Sequence, residues 1–394
     1  MERKIYFDHA ATTAVDGRAL EKMLPYFSDV YGNANSQHFF GREAAEAVDE
    51  ARDTIAKIIG ALPGEIYFTS GGTEADNWAL KGVAYANASK GKHIITTKIE
   101  HAAMLSTCHQ LEKEGFEVTY LNVDEYGVVD LEQLKNSIRS DTILITCMFA
   151  NNEVGTIEPI EEITKIAKEH KVLFFTDAVQ AMPCMDINVK KIGMDLMSFS
   201  SHKFNGPKGV GVLYVRTGVK IDSLIVGGHQ ERTKRGGTTN VPGVVGMAEA
   251  LRLNRLTLAE DVEYVRSLRD RFVSRVKAEI PFVKYNGHPT MRVPGNADFS
   301  FKYIEGESIL FSLDLAGIAV SSGSACSSGS LEPSHVLLAI GVDVALSHGS
   351  IRFSFGKDNT VEEVDYAVDV LKKTVERLRN MSPLYKIDKV DSEK

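Results

Sequence analysis

The feature that most constrains this chain is a series of short apolar runs: "KHIITT", "TILITCMFA", "KVLFFTDA" and "LMSFSS". Each is rich in β-branched or aromatic residues and shows little polar alternation. A strand with one wet face alternates; strands apolar on both faces belong in a sheet covered on both sides, the habit of parallel α/β sheets. Between the runs, "LEQLKNSIRS" and "IEEITKIAKEH" read as crossover helices. Upstream, "EAAEAVDEARDTIAKIIG" places Val48, Ala51, Ile55 and Ile58 on one helical face. From about residue 260 the pattern changes. A long charged helix ("EDVEYVRSLRDRFVSRVKAEI") leads to "DFSFKY", a serine-rich stretch, "SIRFSFG" and a last helix near "VEEVDYAVDVLKKTVERLRNM". This predicts a large α/β domain followed by a smaller α+β domain.

At 394 residues the chain is long enough for two domains and a large core. A formal charge of −8 disfavours nucleic acid as a partner, which calls for a basic excess or stripe. The opening "MERKIYFDHAATT" holds no apolar run suited to a signal peptide or a membrane span, so a cytoplasmic location is expected, where thiols stay reduced. Cys108, Cys147, Cys184 and Cys326 are far apart, without C-x-x-C spacing. Neither a disulfide framework nor a structural zinc site is expected.

Ligands of such sheets bind beyond the carboxyl ends of the strands, so the residues after each apolar run carry most information. "YFTSGGTEADNWAL" reads as strand, glycine turn and helix. Gly71 and Gly72 allow close backbone approach, and the helix start at Thr73 and Glu74 suits an anion; Thr73 as a plain N-cap fits equally. "FFTDAVQA" ends its strand at Asp177, with Gln180 three residues on. That carboxylate either caps the next helix or pairs with a protonated ring nitrogen, as pyridoxal-phosphate sites require. "LMSFSSHKFNGPKGVG" sets Ser200, Ser201, His202 and Lys203 at a strand end. A lysine flanked by hydroxyls and glycines suits a Schiff-base nucleophile held near a phosphate, and Lys203 is favoured over Lys208, which lies inside the turn. His101 in "KIEHAAM" and Asn151 and Asn152 in "MFANNEVG" also follow strands. Arg352 in "SIRFSFG" either forms a structural salt bridge or captures a carboxylate with its planar fork. Finally, "SSGSACSSGS" puts Cys326, a residue type usually buried, among small hydroxyl residues and glycines, which predicts an exposed loop.

Taken together, these motifs resemble those of the cysteine desulfurases of the NifS/IscS type, class V, fold-type I pyridoxal-phosphate enzymes. The resemblance runs nearly end to end through "YFDHAATT", "FTSGGTEADN", "EHAA", "NNEVGTIEPI", "DAVQ", "SFSSHKFNGPKGVGVLYVR", "SSGSACSSGSLEPSHVL" and "SIRFSFG". It implies a mainly parallel seven-stranded sheet in a large domain (residues 14–258). The smaller α+β domain would comprise 1–13 and 259–394 and carry the cysteine loop at about 321–333. It further implies pyridoxal 5'-phosphate joined to Lys203, with Asp177 at the ring nitrogen, Gln180 at the phenolic oxygen and His101 stacked on the ring and assisting proton transfers. Gly72, Thr73, Ser200 and His202 would bind the phosphate, and Thr238 would reach the phosphate of a neighbouring subunit in a homodimer. Asn152 would face cofactor and substrate, and Arg352 would hold the substrate. Cys326 would take the sulfur of L-cysteine as a persulfide, leaving L-alanine, and pass it to an acceptor such as an iron–sulfur scaffold protein. No resident metal is implied, although Cys326 would be able to ligate transiently a [2Fe–2S] cluster shared with a scaffold. The enzymatic alternatives are a selenocysteine lyase and a class V aminotransferase, the latter disfavoured because transamination needs no loop thiol. A non-catalytic sulfur-relay or scaffold subunit is disfavoured by the intact set of Lys203, Asp177, His101 and Cys326.

Overall fold

The computed structural model describes residues 4–322 and 332–385. Cys326 therefore lies outside the described residues. Thirteen strands occur among those described: β1 (Ile5–Tyr6), β2 (Ile66–Thr69), β3 (His93–Thr97), β4 (Glu117–Leu121), β5 (Thr142–Thr146), β6 (Leu173–Asp177), β7 (Leu196–Ser200), β8 (Gly211–Val215), β9 (Val283–Asn286), β10 (Asn296–Phe301), β11 (Ile318–Ala319), β12 (Ser321–Ser322) and β13 (Ser350–Ser354).

The large sheet has seven strands in the order β2-β8-β7-β6-β5-β3-β4. The four apolar runs form β3, β5, β6 and β7, and all of their mutual pairings are parallel. Their side chains alternate between two buried clusters. Ile95, Ile145, Phe174 and Met197 point to one, and Ile94, Leu144, Phe175 and Leu196 to the other. Helices Phe39–Ile59 and Ile160–Glu169 cover the first face. Helices Gly72–Asn87 and Ala102–Lys113 cover the second. With both faces dry, no strand needs a polar side, which is why the runs read as continuous apolar segments. Strand β8 runs antiparallel to both β2 and β7, so β2 regains the direction of the parallel strands. The ends of β2 and β7 thus meet on one edge of the sheet.

A second sheet, β12-β13-β10-β9, is antiparallel throughout. Its aromatic face (Phe299, Phe301 and Phe353) packs on the last helix, Val361–Met381, through Val364, Val368 and Leu371. Ile5 and Phe7 join the same cluster, because β1 pairs in parallel with β11. Beyond Phe7 the chain passes to the large sheet, where Thr13 donates from both its amide and its hydroxyl to the His202 carbonyl.

One helix differs from the expectation of a start near residue 260. It runs from Val241 to Glu279, 39 residues and about 58 Å long at 1.5 Å per residue. Its early part, Val244 to Leu251, packs in the first cluster of the large sheet, and Val265 to Val276 pack in the aromatic cluster. Gly243 and Gly246 weaken the helical signal of this early part, but Gly246 serves packing: a Cβ there would sit 2.4 Å from Met23 Sδ.

Candidate active site

Where β2 ends, Gly71 adopts φ 151°, ψ −176°, a conformation open essentially to glycine alone. The turn lets the helix Gly72–Asn87 begin at the sheet edge, so its unpaired amides and the positive end of its dipole face the strand ends. A Cβ on Gly72 would lie 3.0 Å from Val179 Cγ2, so any side chain there would press on Val179. Glu74, in the first turn, does not neutralise this end. Its carboxylate is taken up by both Arg235 Nε and Nη2 at 2.9 and 3.0 Å and by the Ser70 amide.

A cavity of about 450 Å³ opens beside that helix start. Its lining includes Gly72, Thr73, His101, Asn152, Asp177, Gln180, Ser200, His202, Lys203 and Arg352. Ten of the residues singled out from sequence thus meet in one place. Thr238 is exposed and does not line this cleft of its own chain. Its segment is nonetheless tied near the helix start by the Arg235–Glu74 pair.

Asp177, at the end of β6, is buried, and its Oδ1 accepts from the Val179 amide at 2.8 Å. Burial pushes its carboxyl up from the ordinary carboxylate range, while His101 and Lys203 pull it back. Beneath it, buried Asp76 accepts from Ser198 Oγ at 2.5 Å; burial and the nearby Asp177 push that acid well up. His101 caps its helix: Nδ1 accepts from the Ala103 amide at 3.1 Å, which in the neutral ring leaves the proton on Nε2. Burial lowers its pKa below 6.5, although Asp177 opposes the shift. His202 touches Thr12 Oγ1 at 3.1 Å, and burial with the Lys203 charge brings it down to about 4. It is a neutral hydrogen-bonding ring at physiological pH. Lys203 Nζ donates to the backbone carbonyls of Ala10 and Ala11, the latter at 2.9 Å, and Gln180 Nε2 donates to the Ala10 carbonyl.

Across the cleft, Arg352 is buried on β13. Its Nη1 donates to the Asn152 carbonyl and its Nη2 to Asp8 Oδ1, each at 2.9 Å. Nε is buried without a partner among the described residues. The salt-bridge reading of this arginine is thus seen directly, on a side chain that lines the cleft. Asn151, by contrast, is structural. Its side chain donates to the Ile99 carbonyl and accepts from the amides of Glu153 and Val154, which leaves only Asn152 to the cleft.

Several cleft residues lie within or near the quoted motifs, yet their residue type alone assigns them no role. Ala10 and Ala11 act through backbone carbonyls, which no residue type announces. Asp8 and Asp76 are carboxylates whose role depends on what folds against them. Ser321 pairs with Arg352 in the second sheet and so reaches the cleft from the other side.

The donor set fits pyridoxal phosphate. Helix-start amides, Thr73 and Ser200 form an anion cradle at one end, a buried carboxylate lies deeper in the cavity, and an amine stands between cleft and chain. The chain matches the model described as aminotransferase class-V over residues 5–367. It is 55% identical over 383 residues to "Cysteine desulfurase IscS" of Dictyoglomus turgidum, covering 97% of each chain. The chain belongs to the cysteine desulfurase family. This desulfurase is also 53% identical to the protein of that name from Methanosarcina thermophila, over 97% of its own length and 94% of the relative's. Among solved structures it superposes on a "NifS-like protein" with a TM-score of 0.90 at 42% identity, covering 95% of this chain and all of that one. A second match, "SspA in complex with cysteine", gives a TM-score of 0.81 at 36% identity over 91% of the desulfurase and all of that chain. The family is dependent on pyridoxal phosphate.

Proposed function

We propose that this desulfurase removes sulfur from L-cysteine, leaving L-alanine and a persulfide on Cys326 that is passed to a sulfur acceptor such as an iron–sulfur scaffold. The observation that carries the proposal is the single cleft uniting Lys203, Asp177 and His101 from the large sheet with Arg352 from the second. Lys203 would hold the cofactor's aldehyde carbon, Asp177 its ring nitrogen, Gln180 its phenolic oxygen, and Gly72, Thr73, Ser200 and His202 its phosphate. Bound there, pyridoxal phosphate supplies an electron sink for charge developing on the substrate carbon. Arg352 and Asn152 orient the amino acid by its carboxylate. Lys203 moves the proton at the substrate's α-carbon, and His101, neutral and protonated on Nε2, stacks on the ring and serves the other transfers.

In the sulfur-removing step, the thiolate of Cys326 attacks the substrate sulfur. An S–S bond forms, the substrate's C–S bond breaks with its electron pair left on carbon, and that carbon then takes a proton. The other thiols are poorly suited to this. Cys108 and Cys147 are buried and Cys184 half-buried. Burial pushes Cys108 and Cys184 up to about 12 and Cys147 well above its ordinary value, which suppresses the thiolate that attack requires. Ser321, five positions before Cys326 in the sequence, lines the cleft.

The proposal includes the division into residues 14–258 and 1–13 with 259–394, supported by the two separate sheet cores. It also includes a homodimer in which exposed Thr238 meets the partner's cleft, and a cytoplasmic setting that keeps the thiol reduced. Incubation with L-cysteine and a reductant tests the reading: one alanine per sulfide released supports it, and no alanine from cofactor-loaded protein refutes it.

A further inference from the structure

We infer that Ser334 and Glu153 form a positioning pair for the sulfur-removing step, fixing the chain downstream of Cys326 to the turn that holds the substrate clamp. This inference rests on the proposed role of Cys326. The turn Asn151–Gly155 is rigid in its own right. Asn151 ties it to the Ile99 carbonyl, and the Glu153 carbonyl accepts from Asn296 Nδ2 at 2.8 Å. Within it, Asn152 faces the cleft and receives Arg352, while the neighbouring Glu153 points away into a fully protein-lined environment. There its carboxyl oxygen Oε2 accepts from Ser334 Oγ, a contact spanning 181 positions of sequence.

Ser334 caps the short helix His335–Ala339, accepting from the amides of Val336 and Leu337 at 3.2 Å. A second tie lies alongside: His335 Nε2 meets the Glu100 carbonyl at 2.9 Å, and Glu100 immediately precedes His101. Val336, Leu337 and Ile340 then bury against Ile99, Met148 and Val154, and Met148 itself lines the cleft. The strand-end turns after β3 and β5 thus each give one residue to the cleft, His101 and Asn152. Each gives its chain neighbour, Glu100 and Glu153, to hold the same helix. Ser334 lies eight positions beyond Cys326 in the sequence, so this grip holds the described chain that follows the nucleophile. The nucleophile acts only after the substrate is bound, so the effect of this anchor belongs in turnover and not in substrate binding.

Three variants of the cofactor-loaded protein test this. Ser334→Ala removes both cap and contact. Ser334→Asp keeps the cap but sets a second carboxylate against Glu153. Ser334→Thr keeps the hydroxyl. The expected result is a fall in kcat for alanine of about tenfold in the Ala and Asp variants, with the cysteine concentration that half-saturates the spectral change unaltered. Ser334→Thr restores turnover to within about twofold. If Ser334→Asp turns over like the parent, only the cap matters and the inference fails; it fails equally if half-saturation rises in step with the loss of kcat. A parent protein that makes no alanine would instead overturn the proposed function. Retained cofactor absorbance shows that a variant is folded, and should Ser334→Ala lose it, the Asp and Thr pair decides alone.

Discussion

Replacing Arg352 by lysine keeps the positive charge but discards the planar fork. The guanidinium spends Nη1 on the Asn152 carbonyl and Nη2 on Asp8, and Nε is buried without a partner among the described residues. A lysine ammonium is a single point donor on a flexible stem, so it cannot keep those contacts and also engage a carboxylate in two-point geometry. At least one charge-assisted hydrogen bond to the substrate is lost, and such bonds contribute about 1.5–3 kcal/mol. At about 1.4 kcal/mol per factor of ten, the apparent KM for cysteine should rise roughly 10- to 100-fold. The assay is a titration of the cofactor spectrum with L-cysteine alongside initial rates of alanine formation. The cofactor absorbance without substrate should not change, because Arg352 lies across the cleft from Lys203 and Asp177. An unaltered KM would mean that this arginine serves only its pair with Asp8, and the substrate-clamp reasoning would be wrong.

Other predictions address the cofactor, the buried acids and the histidine. Lys203→Ala should lose the cofactor that borohydride fixes to the chain, while Lys208→Ala, an exposed position outside the cleft, should retain it; peptide mapping of the reduced protein distinguishes them. Glu100 is buried and pushed up to about 8, so in the folded state it keeps its proton where the unfolded chain, with a value near 4.5, has lost it. Its contribution to stability is present below about 4.5 and is lost as pH rises through about 8, so Glu100→Gln should flatten the decline of Tm across that window. A Tm profile as steep as the parent's would count against it. His101 is held below 6.5 by burial, so its ring should stay neutral at pH 7 and gain its proton only under more acidic conditions. Alanine formation should therefore fall on the acid side at a pH below 6.5, and a limb rising through that range in the His101→Gln variant would exclude the ring as its source.

The sequence exposes the parts of the fold where one physical demand acts alone. Strands β3, β5, β6 and β7 are dry on both faces, so their apolar continuity is legible without knowing the fold. The edge strand β4 reads "EVTYL", with a polar alternation that gives no such signal, and β8 hides in a glycine-flanked run whose antiparallel direction no local pattern encodes. At the site, Lys203, Asp177 and His101 are legible because each follows an apolar run, where the sheet presents its ends. Asp8 acquires its role only when β1 pairs with β11 and the following residues are set against Arg352 on β13. The Ser334–Glu153 contact likewise depends on distant segments meeting, and neither residue stands in a motif that predicts the other.

The central claim is that sulfur passes to Cys326, and brief exposure of the cofactor-loaded protein to L-cysteine followed by peptide mass spectrometry tests it most directly. One added sulfur is expected on the peptide containing Cys326 and none on those containing Cys108, Cys147 or Cys184. Cys326→Ser should keep its cofactor and its cysteine-dependent spectral change but make almost no alanine. An added sulfur on one of the other three cysteines, or near-normal alanine production by Cys326→Ser, would contradict it.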